Sequence, residues 1–194
     1  FDDGLIDPET LYMLRQSTLH TLCDRTQTLH DRIHSILENL LLKQYGKINF
    51  AFQSENEFYD ILIKASKKTE AYDADFTHLL KCLCENKAEA LFSRKTFISY
   101  LGERTADYEK LLSYLVFRHF PKAVYDGDAL GKFCFCVGVT AITFYADVLL
   151  FAERGKFDLA DRINSVKYLS KQFEYSDENP EILSEELKKR ILRI

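Results

Sequence analysis

The chain reads as all-α, a single multi-helix array or bundle around one central apolar helix. Three observations predict this. Seven Gly and three Pro in 194 residues are too few for a sandwich or barrel that must reverse every ~8–12 positions. Apolar residues recur at helical spacing along most of the chain. One run, Phe133 to Phe151, is apolar all round, as the middle of a bundle requires.

Asp7-Pro8 opens the first helix with an N-cap side chain and a proline at the first helical position, and Leu11, Leu14, Leu19 and Leu22 follow. The stripe Leu29, Ile33, Ile36, Leu37, Leu40, Leu41 forms a second helix that stops at Gly46. Lys47 to Gln53 alternates Ile48, Phe50 and Phe52 with polar or small residues, like a short strand, and reads as a connector. Ser54 and Glu57 form a capping box opening a helix with Phe58, Ile61 and Leu62 on one face. Asp75 is placed to cap the next, which carries Phe76, Leu79, Leu80 and Leu83. Ala88, Leu91 and Phe92 then lead through Phe97, Ile98 and Leu101 to a stop at Gly102.

Four more helices are expected over Ala106 to His119, Ala129 to Glu153, Leu159 to Phe173 and Pro180 to Leu192, with Asp158 and Asn179 as caps for the last two and Gly155 ending the long one. Between the first two, Pro121 biases Phe120 away from helical geometry and Asp126-Gly127 is a turn dipeptide, so the backbone reverses there. A softer boundary near Gly102 separates an N-terminal helical subdomain, 1–102, from a C-terminal one, 103–194, unless the two form one continuous domain. No internal repeat or low-complexity tract interrupts this plan.

A hydrophobic fraction of 46% is ample for a buried core. The formal charge of −4 and a pI near 5.8 give no basic footprint for nucleic acid. The chain starts at Phe1 without an initiator Met, a basic n-region or a cleavage pattern, and is expected to be part of a longer protein without a signal peptide. Five Cys, an odd number, fit free thiols in a reducing, cytoplasmic setting. Phe133 to Phe151 approaches a bilayer span in length, but Asp147 is costly in lipid and the flanking Lys132 and Arg154 give no orientation bias, so no membrane is expected.

Cys82-x-Cys84 and Cys134-x-Cys136 invite a metal reading, yet residues two apart on a helix point about 200° away from each other, so buried hydrophobes are preferred. His30 and His34 share the spacing of a two-histidine metal face, but Asp31 stands where the metalloprotease motif has Glu, and the pair falls on the polar flank of its helix. No metal site is assigned.

The densest polar segment is Arg118-His119-Phe120-Pro121-Lys122-Ala123-Val124-Tyr125-Asp126-Gly127-Asp128. Asp126 and Gly127 make a turn and Asp128 a cap; equally, two carboxylates beside a phenol, Arg118 and His119 form a polar pocket for a cationic lysine. Both readings stand. Glu174 to Glu178 ends a helix with acid, against the helix dipole, either as a solvated linker or as an extension of that acidic surface.

With Tyr108-Glu109-Lys110-Leu111-Leu112 and Ser170-Lys171-Gln172-Phe173-Glu174-Tyr175-Ser176-Asp177-Glu178-Asn179, this segment resembles the C-terminal half of the flagellin lysine-N-methylase family, over roughly Tyr108 to Leu187. At the second motif Lys171, Gln172, Phe173 and Tyr175 occupy varied positions. The resemblance implies methyl transfer from S-adenosylmethionine to the ε-amine of flagellin lysines, with an iron-sulfur-type Cys-rich segment in the upstream part of such proteins. It implies amine recognition by Asp126 and Asp128, orientation by Tyr125, support from Glu174, and cofactor contacts from Arg118 and His119. The βαβ alternation and Gly-rich loop of dinucleotide-type methyltransferases are absent from the sequence. The chain is therefore expected to contribute substrate or cofactor binding without being sufficient alone. The rival is a non-catalytic interaction module docking flagellin or the Cys-rich segment through Tyr45, Phe50, Phe52 and Tyr72. A metal or redox protein built on the cysteines is a third reading. Oligomeric state and packing order are not readable from the sequence.

Overall fold

The computed structural model describes residues 5–46, 54–176 and 178–192. Among these are nine α-helices and no strand: α1 (Pro8–Cys23), α2 (Leu29–Tyr45), α3 (Glu55–Ser66), α4 (Ala74–Glu85), α5 (Lys87–Leu101), α6 (Ala106–His119), α7 (Ala129–Arg154), α8 (Leu159–Glu174) and α9 (Asn179–Leu192). The strand-like connector expected at Lys47 to Gln53 lies outside the described residues.

Local chemistry sets most of the boundaries. The carboxylate of Asp7 accepts from Thr10 N at 2.9 Å, and Thr28 and Ser54 cap α2 and α3 through Asp31 N and Glu57 N. Gly46 and Gly155 end α2 and α7 at φ 67° and 68°, the left-handed geometry an L side chain resists. Asp158 and Asp161 form a reciprocal box at the start of α8.

Three expectations are corrected. Asp73, not Asp75, caps α4: its Oδ1 accepts from Phe76 N at 3.0 Å, while Asp75 falls in the first turn. Asn179 is the first residue of α9, and its amide instead accepts from Glu70 N and donates to Glu70 O and Gln172 O, tying the α3–α4 loop to the α8–α9 junction. Phe120 keeps helical dihedrals, φ −58° and ψ −39°, because α6 passes directly into a 3-10 turn over Phe120–Val124 whose first turn accepts Pro121. The reversal comes later, at Gly127, φ 70°.

The central helix α7 spans roughly 39 Å at 1.5 Å per residue and packs against α2, α3, α4, α5, α6, α8 and α9. It is long and apolar enough to cross a membrane, and 72% of its most apolar window is buried within the protein by those neighbours. Phe133, Phe135, Leu130 and Ile142 are at most 1% exposed, and burial of each such side chain contributes about 1.5–3 kcal/mol. A single hydrophobic cluster runs from Ile6 to Ile191, with a smaller one around Phe97, Tyr108, Val148, Phe151 and Phe157 at the far end of α7.

Candidate functional site

The expected site residues fall into two structural groups. In the turn before α7, Asp128 is an N-cap: its Oδ1 accepts from Gly131 N at 3.0 Å and from Gln44 Nε2 at 2.9 Å, and its Oδ2 accepts from Lys188 Nζ at 2.5 Å. Burial pulls the Asp128 carboxyl upward, but Lys188, Gln44 and the Gly131 N–H outweigh it and leave it below the ordinary carboxylate range. Burial also works against the Lys188 ammonium, and Asp128 and Glu185 overcome it, so this lysine is held charged. Asp126 accepts from Asp128 N at 3.0 Å and from Lys132 Nζ at 2.5 Å. Both carboxylates thus carry lysine partners from the chain itself. Tyr125 is 83% exposed.

The second group is Arg118, His119 and Glu174, where the end of α6 meets the end of α8. Arg118 Nε lies 3.0 Å and His119 Nε2 3.9 Å from Glu174 Oε2. Burial raises the Glu174 carboxyl, and His119, Arg118 and Ser170 more than reverse it, leaving it below its ordinary value. His119 is buried with its ring 4.9 Å from Phe135, and its Nε2 has no hydrogen-bond partner among the described residues. The acid at the end of α8 that the dipole argument found out of place is compensated by the Arg118 guanidinium, with the His119 ring beside it. Asp177 of the same acidic run lies outside the described residues.

A cavity of about 920 Å³ opens between α2, α3, α5, α6 and α7, with Ile191 of α9 also in its wall, and none of the six expected residues lines it. Its walls are mostly apolar, with Phe58, Tyr108, Phe144 and Tyr145 as the aromatic part. Two carboxylates stand among them. Glu55, at the start of α3, pairs with Arg94 of α5 and accepts from Tyr145 Oη at 2.9 Å. Glu109 of α6 accepts from Arg32 Nη2 at 2.7 Å, and Arg32, 2% exposed, also donates to Leu22 O. Arg94 Nε is buried with no acceptor among the described residues.

Sequence reasoning gave these residues no site role, Glu109 being quoted only within the family-like motif, because the pairings are long-range. Two signals were present: Arg32 interrupts the buried face of α2, and Arg94 and Glu109 each sit one or two residues from an aromatic residue, with Glu55 three residues before Phe58. A volume near 920 Å³ with apolar walls and a few convergent charges matches the ~300–1,000 Å³ range of small-molecule sites.

The cysteine and histidine pairs are dispersed. Cys134 and Cys136 are buried free thiols, burial pushing Cys134 up to about 12 and Cys136 upward as well. Cys82 Sγ lies 3.4 Å from His78 Nε2. His30 and His34 have ring centroids 6.4 Å apart, and His34 Nδ1 is 3.5 Å from Glu38. Among the described residues no group of three potential metal ligands converges.

Among protein families, the model described as the FliB lysine N-methylase C-terminal domain matches residues 13–193. No curated protein and no solved structure matches the chain.

Proposed function

The chain belongs to the FliB lysine N-methylase C-terminal domain family, and on that premise we propose that it supplies the cofactor-binding wall for S-adenosylmethionine-dependent methylation of protein lysines, with flagellin as substrate. The observation that carries this reading is the cavity walled by α2, α3, α5, α6, α7 and α9. Its chemistry suits an amphipathic ligand with an amino-acid head and a flat aromatic base. The Arg94–Glu55 pair, whose Arg94 Nε lacks an acceptor among the described residues, would open to hold the head-group carboxylate at Arg94 and the ammonium at Glu55. Phe58 and Phe144 offer apolar faces to the base.

The bound cofactor supplies a methyl group on a sulfonium. The chain's part is to exclude water and to favour a neutral lysine amine, since an unperturbed lysine with pKa ~10.4 is almost wholly protonated near neutrality. The apolar walls formed by Val137, Ala141 and Phe144 disfavour the ammonium by desolvation. The Tyr125 turn is then a brace for α7 and α9, because none of its residues lines the cavity and Lys132 and Lys188 hold Asp126 and Asp128. Arg118, His119 and Glu174 brace α6 against α8.

Titration calorimetry of the 194-residue chain with S-adenosylmethionine tests the proposal, alongside Ala141→Phe, which fills the cavity from a partly buried wall position. Saturable binding that weakens at least tenfold in Ala141→Phe is expected. Absence of binding to the folded chain, or equal binding by the variant, would move the cofactor elsewhere. It would then favour the interaction-module reading, for which Tyr45 and Tyr72 are exposed (38% and 60%) while Phe50 and Phe52 lie outside the described residues.

A further inference from the structure

On the outer face where α1 packs against α6, Tyr12 is 53%, Tyr114 47% and Phe117 60% exposed. Single exposed aromatics need no explanation. Here, however, two of them, from different helices, enclose one cation. The Arg15 guanidinium carbon lies 5.6 Å from the Tyr12 ring centroid and 5.2 Å from that of Phe117, both within cation–π range.

The charges on this face are not equivalent. Arg118 donates to Tyr114 Oη at 2.8 Å and is neutralised by Glu174 at 3.0 Å. Arg15 has no ion-pair partner among the described residues, and its Nε is buried without an acceptor. The rings hold the guanidinium in place, so much of the ordering cost of a long side chain is met before anything binds. A planar fork held this way is suited to a carboxylate, and the exposed Phe117 ring beside it, with exposed Tyr114 three residues earlier on α6, is suited to an apolar neighbour. Arg and Tyr are also the residue types that dominate binding energy at interfaces.

We propose that Tyr12, Arg15, Tyr114 and Phe117 form a docking face for an acidic segment of a partner protein. In it, a Glu or Asp side chain engages Arg15 and an adjacent aliphatic side chain lies on Phe117. None of these residues lines the cavity, so the inference stands whether or not the cavity binds a cofactor.

The probe is a blocked peptide of sequence Gly-Glu-Leu-Glu-Gly-Glu-Leu-Glu, titrated into the isotopically labelled protein at low salt and followed by backbone amide shifts. A second peptide with Gln for every Glu, and sodium acetate alone, are run beside it. The expected result is saturable shifts confined to α1 around Arg15 and α6 around Phe117. Affinity should fall at least tenfold for the Gln peptide and for Arg15→Gln, several-fold for Phe117→Ala, and should not be restored by Arg15→Lys, which keeps the charge but loses the fork. Unchanged amide dispersion in the variants separates lost binding from lost folding. Absence of binding, binding that Arg15→Gln leaves intact, or acetate reproducing the same shifts at the same concentration would each overturn the proposal.

Discussion

Asp147 carries the one formal charge in the apolar run of α7 and is wholly buried. It accepts from Tyr108 Oη at 2.8 Å and faces Arg162 Nε at 3.4 Å, with Arg162 stacked 3.8 Å from the Tyr108 centroid. Burial drives its carboxyl up to about 6, helped by Asp161 and opposed by Ser165, Arg162 and Tyr108. A folded-state value above that of the unfolded chain means the native state binds the proton more tightly. The stability this contributes is full below the unfolded value near 3.8 and is lost as pH rises through about 6. Asp128 and Glu174, held low, act in the opposite sense and lose their contribution as pH falls. Comparing wild type with Asp147→Asn cancels those two. Denaturant midpoints should show the wild-type advantage shrinking by as much as roughly 3 kcal/mol between pH 4 and pH 6.5 and flat above. A difference that stays constant across that window would mean that Asp147 titrates normally. The sequence displayed Asp147 as an anomaly in the run, but its partners come from α6 and α8, and no local pattern announces them.

At the scale of the element, helix ends were readable because caps are local: Asp7, Gly46, Gly102, Gly155 and Asp158 each act within a few residues of their place in the chain. Two of the misread ends share one cause. At Asp73 and Asn179 a nearby candidate of equal intrinsic quality lost or changed its role through distant contacts, Asp73 by also accepting from Tyr168 Oη at 3.0 Å and Asn179 by bridging Glu70 and Gln172. Two glycines of α7 separate local from tertiary constraint. Gly155 has open space around it but φ 68°, so Gly155→Ala is strained by its backbone alone, by about 1–2 kcal/mol. Gly138 is mid-helix, where Ala would be intrinsically better by ~1 kcal/mol. Its added Cβ, however, would stand 2.5 Å from Leu187 Cδ1 of α9, a side chain itself 1% exposed. Overpacking of this kind costs about 1–3 kcal/mol, so Gly138→Ala should be destabilising overall or at best neutral. Pairing it with Leu187→Ala should cost less than the sum of the single changes. Additive losses in thermal or denaturant melts would show that the α7–α9 contact is not the constraint.

For the molecule as a whole, the chain order hides how the helices meet. A boundary near Gly102 is a sensible reading of a positive-φ glycine between two amphipathic helices, yet the packing crosses it repeatedly. From one side α2, α3, α4 and α5 reach α7, and from the other α9 returns to lie on α3 as well as on α7. Arg32 of α2 holds Glu109 of α6, Gln44 and Lys188 converge on Asp128, and Asn179 and Gln172 secure the backbone of Glu70. None of this follows from periodicity, which gives each helix an apolar face but not its partner. The candidate cavity was hidden for the same reason, its walls being drawn from six helices. The consequence is energetic. Residues 1–102 alone would expose the surfaces that α7 and α9 cover, including Leu37, Leu62 and Leu83, all at most 3% exposed here. Residues 103–194 alone would leave α7 bare along the faces that α2, α3, α4 and α5 cover, an apolar area too large for a stable monomer. Neither half should then melt cooperatively when expressed separately. The whole chain should unfold in one transition, with far-UV circular dichroism and tyrosine fluorescence reporting the same midpoint. Two separated transitions, or a 103–194 piece that folds alone, would instead mark Gly102 as a true domain boundary. The cavity walls contributed by α2, α3 and α5 would then belong to a separately folding unit.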